Sequence, residues 1–239
     1  MAAMLQRYRA GEREQVWNEL MALGEKVRQE PYLTESIEVA RETMYRAKEN
    51  IQLLRDRLYQ IGYRFAYPSE VFIPPGPEMP ARIAYLEKCA GSLPISLRVW
   101  YEVVGSVNFI GTHPSWDPKV YADPLVVDPI EFALEEYGDW RESCKEYGEK
   151  EMGPYNVPIA PDEYHKTDLR AAPQRSMAVY SIVMPSLMVD SIVGEEPHHT
   201  TFVNYLRTCF RWGGFPGFEH AKEYPRKDLL ALTQDLVAL

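Results

Sequence analysis

An apolar seam constrains this chain more than any other feature. Ile37, Ala40, Met44, Ala47, Ile51, Leu54, Leu58 and Ile61 follow one another at alternating steps of three and four residues. Side chains so spaced fall on one stripe of an α-helix, and the stripe runs for more than three heptads. A helix that long needs a surface to cover it. A shorter stripe precedes it in Val16, Leu20, Leu23 and Val27, and Pro31 separates the two, with Thr34 placed to cap the second helix. The simplest arrangement is an antiparallel helical hairpin over residues 1–62. The alternative cover is a second copy of the chain, giving a homodimer through residues 37–61. Arg41, Arg46, Lys48, Glu49, Arg55, Asp56 and Arg57 lie between the apolar positions and predict a solvated face.

Beyond Gly62 the pattern becomes mixed. Residues 63–67 alternate briefly, and 71–80 hold four of the chain's 19 prolines, which marks them as a linker because proline fixes φ and removes a backbone donor. Helical spacing returns at 83–90 and 94–104, and again at 130–147 in a Glu-rich segment. Residues 107–111, 124–129, 159–161, 178–183 and 187–193 have the apolar, turn-bounded character of strands. A small amphipathic helix closes the chain at 227–239. Helices first, then strands enclosed by helices, predict an α+β fold with a mostly antiparallel central sheet in a domain spanning 63–239.

Within that domain FVNYLRTCFRWGGFPGF, residues 202–218, is the most sharply built stretch. Phe202, Tyr205, Leu206, Cys209 and Phe210 share one helical face, and Gly213-Gly214 with Pro216 stops the helix. The helix is an anchor that enters the core. Its turn is the open question, because Arg211, Trp212 and Phe215 beside the glycines can face outward and bind a partner.

Composition narrows the function. The chain has 239 residues, 46% of them hydrophobic and 26% charged, enough to bury a sizeable core. No apolar run reaches the roughly 18–20 residues of a membrane helix, and three scattered cysteines outside any CxxC spacing point to reduced thiols in the cytosol. With 26 basic and 35 acidic residues the net charge is −9, which repels a nucleic-acid backbone and allows a basic protein partner.

No catalytic signature is complete. The five histidines form no HxH or HExxH spacing, and adjacent His198 and His199 cannot face one metal together, so neither metal nor cofactor is expected. The polar loop from Asp162 to Asp168 offers His165 among Asp162, Glu163 and Asp168, the seat of an alternative reading as a small hydrolase or transferase with His165 as acid/base. Trp116, beside Asp117 in a proline-bounded loop, is either a staple tucked back on the core or an anchor shown to a partner.

One run carries a family resemblance. LPISLRVWYEVVG, residues 93–105, follows a short helix and precedes a strand, and with residues 159–162 and the 202–218 segment it resembles the SUKH superfamily of bacterial immunity proteins and Smi/Knr-type regulators over roughly residues 80–218. The resemblance implies an α+β domain whose activity is binding, in many members neutralisation of a cognate toxin. It implies no catalytic residues. The expectation is thus a non-enzymatic protein-binding module, with Trp116, Asp117, Asp162, His165, Arg211, Trp212 and Phe215 as its candidate contacts.

Overall fold

In the computed structural model, which describes residues 3–167 and 179–239, the seam becomes one helix, α3 (Tyr32–Ile61). Gly62 ends it at φ +87°, a left-handed conformation that glycine adopts without strain. Val39, Ala40, Met44, Ala47, Ile51, Leu54 and Leu58 are fully buried, each large side chain contributing roughly 1.5–3 kcal/mol. The cover comes from the chain itself: α1 (Met4–Ala10), α5 (Ile95–Val103) and α10 (Arg226–Thr233) all pack on α3. The homodimer through residues 37–61 therefore has no apolar stripe left to use. Two polar residues in the stripe are also employed. Thr43 Oγ1 accepts the Trp17 indole N–H at 3.1 Å, and the Asn50 amide pairs with the backbone of Val237 in both directions at 2.8 Å.

The N-terminal helical region differs in detail from a two-helix hairpin. α2 (Arg13–Ala22) stops short of Val27, because Gly24 at φ +56° turns the chain into a 3-10 segment, Gly24–Arg28. α3 begins two residues before Thr34, whose hydroxyl donates to Glu30 Oε1 at 2.9 Å instead of capping the helix.

The α+β architecture is present, with the strands among the described residues divided among three small antiparallel sheets. β1 (Arg64–Phe65) pairs with β4 (Gly111–Thr112). β3 (Ser106–Asn108) lies between β2 (Phe72–Ile73) and β5 (Val126–Val127), and β6 (Asn156–Pro161) pairs with β7 (Val179–Val183). Asp128 N–H donates to Ile159 O at 2.7 Å and ties β5 to β6. Ala178, expected at the start of the strand 178–183, lies outside the described residues. The proline-rich run at 71–80 is not a linker. It forms the edge strand β2 and leads into α4 (Met79–Ala90), held so close that a Cβ on Gly105 would stand 2.2 Å from Ile73 O. α6 (Ile130–Tyr147) and α8 (Glu163–Thr167) pack on β6, α7 (Glu149–Met152) packs on α6, and no helix among the described residues is long and apolar enough to cross a membrane.

Residues 187–193 are not a strand. Apart from an isolated antiparallel bridge between Ile192 and Thr201, their polar groups serve two helix starts. At α5, Ile95 N–H donates to Met188 O at 3.3 Å and Ser96 N–H to Val189 O at 2.8 Å. At α9 (Phe202–Arg211), Phe202 N–H donates to Ser191 O at 3.0 Å and Val203 N–H to Asp190 Oδ2 at 3.0 Å. The Asp190 carboxylate also accepts from Ser96 Oγ at 2.6 Å, so one buried side chain joins both helices. So held, α9 buries Phe202, Tyr205, Leu206, Cys209 and Phe210, and two glycines follow it, Gly213 at φ +60° against Leu232 and Gly214 at φ +94° against Phe109.

Asp190→Asn keeps the shape but turns an amide N–H₂ toward a donor, so a loss of about 1–3 kcal/mol is expected in urea unfolding at neutral pH. Burial raises the Asp190 carboxyl above the ordinary aspartate range, against its hydrogen bonds. The part of its contribution linked to proton binding is then fully present below the unfolded-state aspartate value and is lost as pH rises through the higher folded value, while the hydrogen bonds it accepts persist at neutral pH. The gap in stability between wild type and Asp190→Asn should narrow over that window, measured by unfolding at a series of pH values.

Candidate functional site

Four loop regions meet at one end of the molecule: residues 111–124, 162–166, 195–199 and 215–223. Below them lies a buried ion pair. Lys166, in α8, places Nζ 2.7 Å from Asp123 Oδ1, and both side chains are shut off from solvent. The ammonium stands 4.3 Å from the ring centroid of Tyr180 on β7 and 3.5 Å from the Tyr205 hydroxyl on α9. Aromatic faces favour a cation held this way. Burial pushes the Tyr180 and Tyr205 phenols and the nearby Cys209 thiol up from their ordinary values, so all three stay neutral. Asp123 reaches the pair from a left-handed backbone at φ +49°.

Above the pair is a cavity of about 110 Å³ lined by Tyr63, His113, Trp116, Lys166, Phe215 and Phe218. Trp116 is its staple. The indole packs on Phe215 at 4.9 Å and Phe218 at 5.3 Å between centroids, and Nε1–H donates to Asp228 Oδ2 at 2.8 Å. Asp117, exposed at the rim, accepts the Lys119 N–H at 2.9 Å and so shapes its own turn.

The outer face of this end carries a groove of about 450 Å³, whose walls include Lys119, Tyr121, Glu163, Pro197 and His220. Tyr121 and Tyr164 are exposed to 47% and 51%, with rings 6.4 Å apart. His198 braces the loops behind it. Its Nδ1 meets the fully buried Glu196 carboxylate, its Nε2 lies 3.0 Å from Glu219 Oε2, and its ring stacks on His220 at 5.2 Å.

The residues expected to bind a partner are thus dispersed. Trp116 and Phe215 share the cavity wall, but Phe215 is only 1% exposed and faces inward, contrary to an outward-facing turn. Trp212 is half-buried, edge-on to Tyr224 at 5.4 Å, and Arg211 lines a separate groove against α2. Asp162 caps α8: Oδ1 accepts the His165 N–H at 2.7 Å and meets His165 Nδ1 at 2.7 Å, and neither residue lines the cavity or the groove. Asp168 lies outside the described residues. Lys166, Asp123 and Tyr121 were missed, since a lysine inside a polar loop carries no mark of burial and Asp123 is 43 residues away from it in the chain.

No protein-family model, curated protein or solved structure matches the chain.

The ion pair gives a clear mutational signature. Lys166→Met removes the cation paired with Asp123 among the described residues and should cost about 3–5 kcal/mol in urea unfolding. Adding Asp123→Asn, which tolerates the left-handed backbone, should recover a measurable part of that loss.

Proposed function

We propose that this chain is a non-enzymatic protein-binding module that presents the Tyr121–Tyr164 face to a basic partner. The observation that carries the proposal is the adjacency of two half-exposed tyrosines to a groove whose floor is rigid. Tyrosine supplies a large contact area at little entropic cost and is enriched where interfaces hold most of their energy. The buried Lys166–Asp123 pair and the His198 brace fix the loops beforehand, so little ordering remains to be done on binding. A net charge of −9 draws a basic surface toward this acidic protein and raises the rate of encounter.

The resemblance of residues 93–105 and 202–218 to SUKH proteins gives the partner a class. It is a bacterial toxin, neutralised by being covered, which makes the chain an intracellular immunity protein. The hydrolase or transferase alternative draws less support from the geometry. His165 is engaged by Asp162, and the cavity beside it offers a lysine already paired with Asp123.

The test is functional rescue. A protein captured by this chain from its source cells, produced alone in a bacterial host, should arrest growth, and co-production of the wild-type chain should relieve the arrest. Tyr121→Ala/Tyr164→Ala should weaken the complex by roughly a hundredfold and abolish relief, whereas Tyr45→Ala, exposed on α3, should leave both intact. Equal relief by the double variant, or turnover of a small molecule with no protein captured, would overturn the reading.

A further inference from the structure

A second groove, of about 670 Å³, runs between the first turn of α2, the end of α9 and the segment 236–239. It shares no lining residue with the Tyr121–Tyr164 groove. Three arginines face it, Arg13 from α2 and Arg207 and Arg211 from α9, and Glu14 is the one acid in its wall. That is an unusual concentration of positive charge on a chain whose net charge is −9. Arg207 and Arg211 stand four residues apart on one helical face, where like charges repel unless an anion lies between them.

The arginine side chains are only partly satisfied by the chain. Arg207 donates through Nη1 to Asn204 Oδ1 at 2.8 Å and through Nε to Leu239 O at 3.3 Å, which sets its plane. Its remaining nitrogen, Nη2, is shielded from solvent and meets no acceptor among the described residues, and the same is true of Arg13 Nε. A guanidinium N–H without an acceptor is costly, so two such donors on arginines that line one groove point to an acceptor from outside the chain. Burial also lowers the Arg207 guanidinium from its ordinary value, the direction an anion would reverse.

We infer that this groove binds an oxyanion, a phosphate- or carboxylate-bearing small molecule, held by Arg13, Arg207 and Arg211. Arginine forks match both head groups, donating two parallel N–H bonds to paired oxygens. Thr208 and Asn204 on the wall add neutral polar groups, and Phe210 and Leu236 can cover an apolar remainder of the ligand.

The experiment is calorimetric titration of the full chain at low salt with sodium pyrophosphate and, separately, with citrate. At least one should bind with a Kd below about 1 mM. Arg207→Gln should weaken that binding at least roughly tenfold. Arg211→Gln, at an exposed position, should weaken it several-fold without moving the thermal midpoint, which separates loss of the site from loss of the fold. Arg55→Gln, on α3 and outside the groove, should change nothing. Binding of pyrophosphate alone assigns a phosphate ligand, and binding of citrate alone a carboxylate. If neither anion binds below about 10 mM, or if Arg207→Gln and Arg211→Gln bind as wild type does, the inference is wrong.

Discussion

A helix start exposes backbone N–H groups that must find acceptors, and much of this fold depends on how two such starts are served. α5 and α9 both lack a side-chain cap of their own, α5 being preceded by Pro94 and α9 by Thr201. Residues 188–191 supply the acceptors to both, through carbonyls and through the Asp190 carboxylate. α5 in turn lies on the buried stripe of α3, and α9 supplies Tyr205 beside Lys166. The N-terminal helices and the loop end are therefore mechanically continuous, although the sequence changes character at Gly62.

The same economy of partners shapes the loop end. A lysine and an aspartate both withdrawn from water need each other, and the aromatic rings of Tyr180 and Tyr205 complete the enclosure. Such a pair adds little net stability compared with apolar packing, but it admits few alternative arrangements. Because it fixes α8 to the loop that carries Tyr121, it governs where the exposed rings stand. The surface chemistry is simple, and the interior beneath it is what gives it shape.

Much of the architecture could be read from spacing alone. The stripe of α3 and the anchor face of α9 are long, regular and flanked by glycines, so periodicity and termination agree. Residues 187–193 misled because an apolar run bounded by polar residues has the composition of a strand, while the demand that keeps it out of a ladder comes from helices 90 or so residues earlier and a few residues later. Phe215 misled for a related reason: glycines beside an aromatic suggest display, whereas Gly214 lets the backbone approach Phe109 and the Phe215 ring is buried. The site was least legible. Lys166, Asp123 and Tyr205 become neighbours only through long-range packing, and no local pattern distinguishes a lysine that will be enclosed from one that will be solvated.

The bond between Ser96 and Asp190 spans 94 residues of chain, and this bears on the order of events during synthesis. α5 has its full apolar face as soon as it emerges and can collapse onto α3, since both belong to the first half of the chain. Its leading amides, however, have no protein acceptor until the segment at 188–191 leaves the ribosome, and α9 must follow before Asp190 can engage Val203. The nascent protein therefore carries a helical part whose leading amides stay open while nearly as much chain again is made. Chains with such late closing contacts fold slowly and expose apolar surface meanwhile.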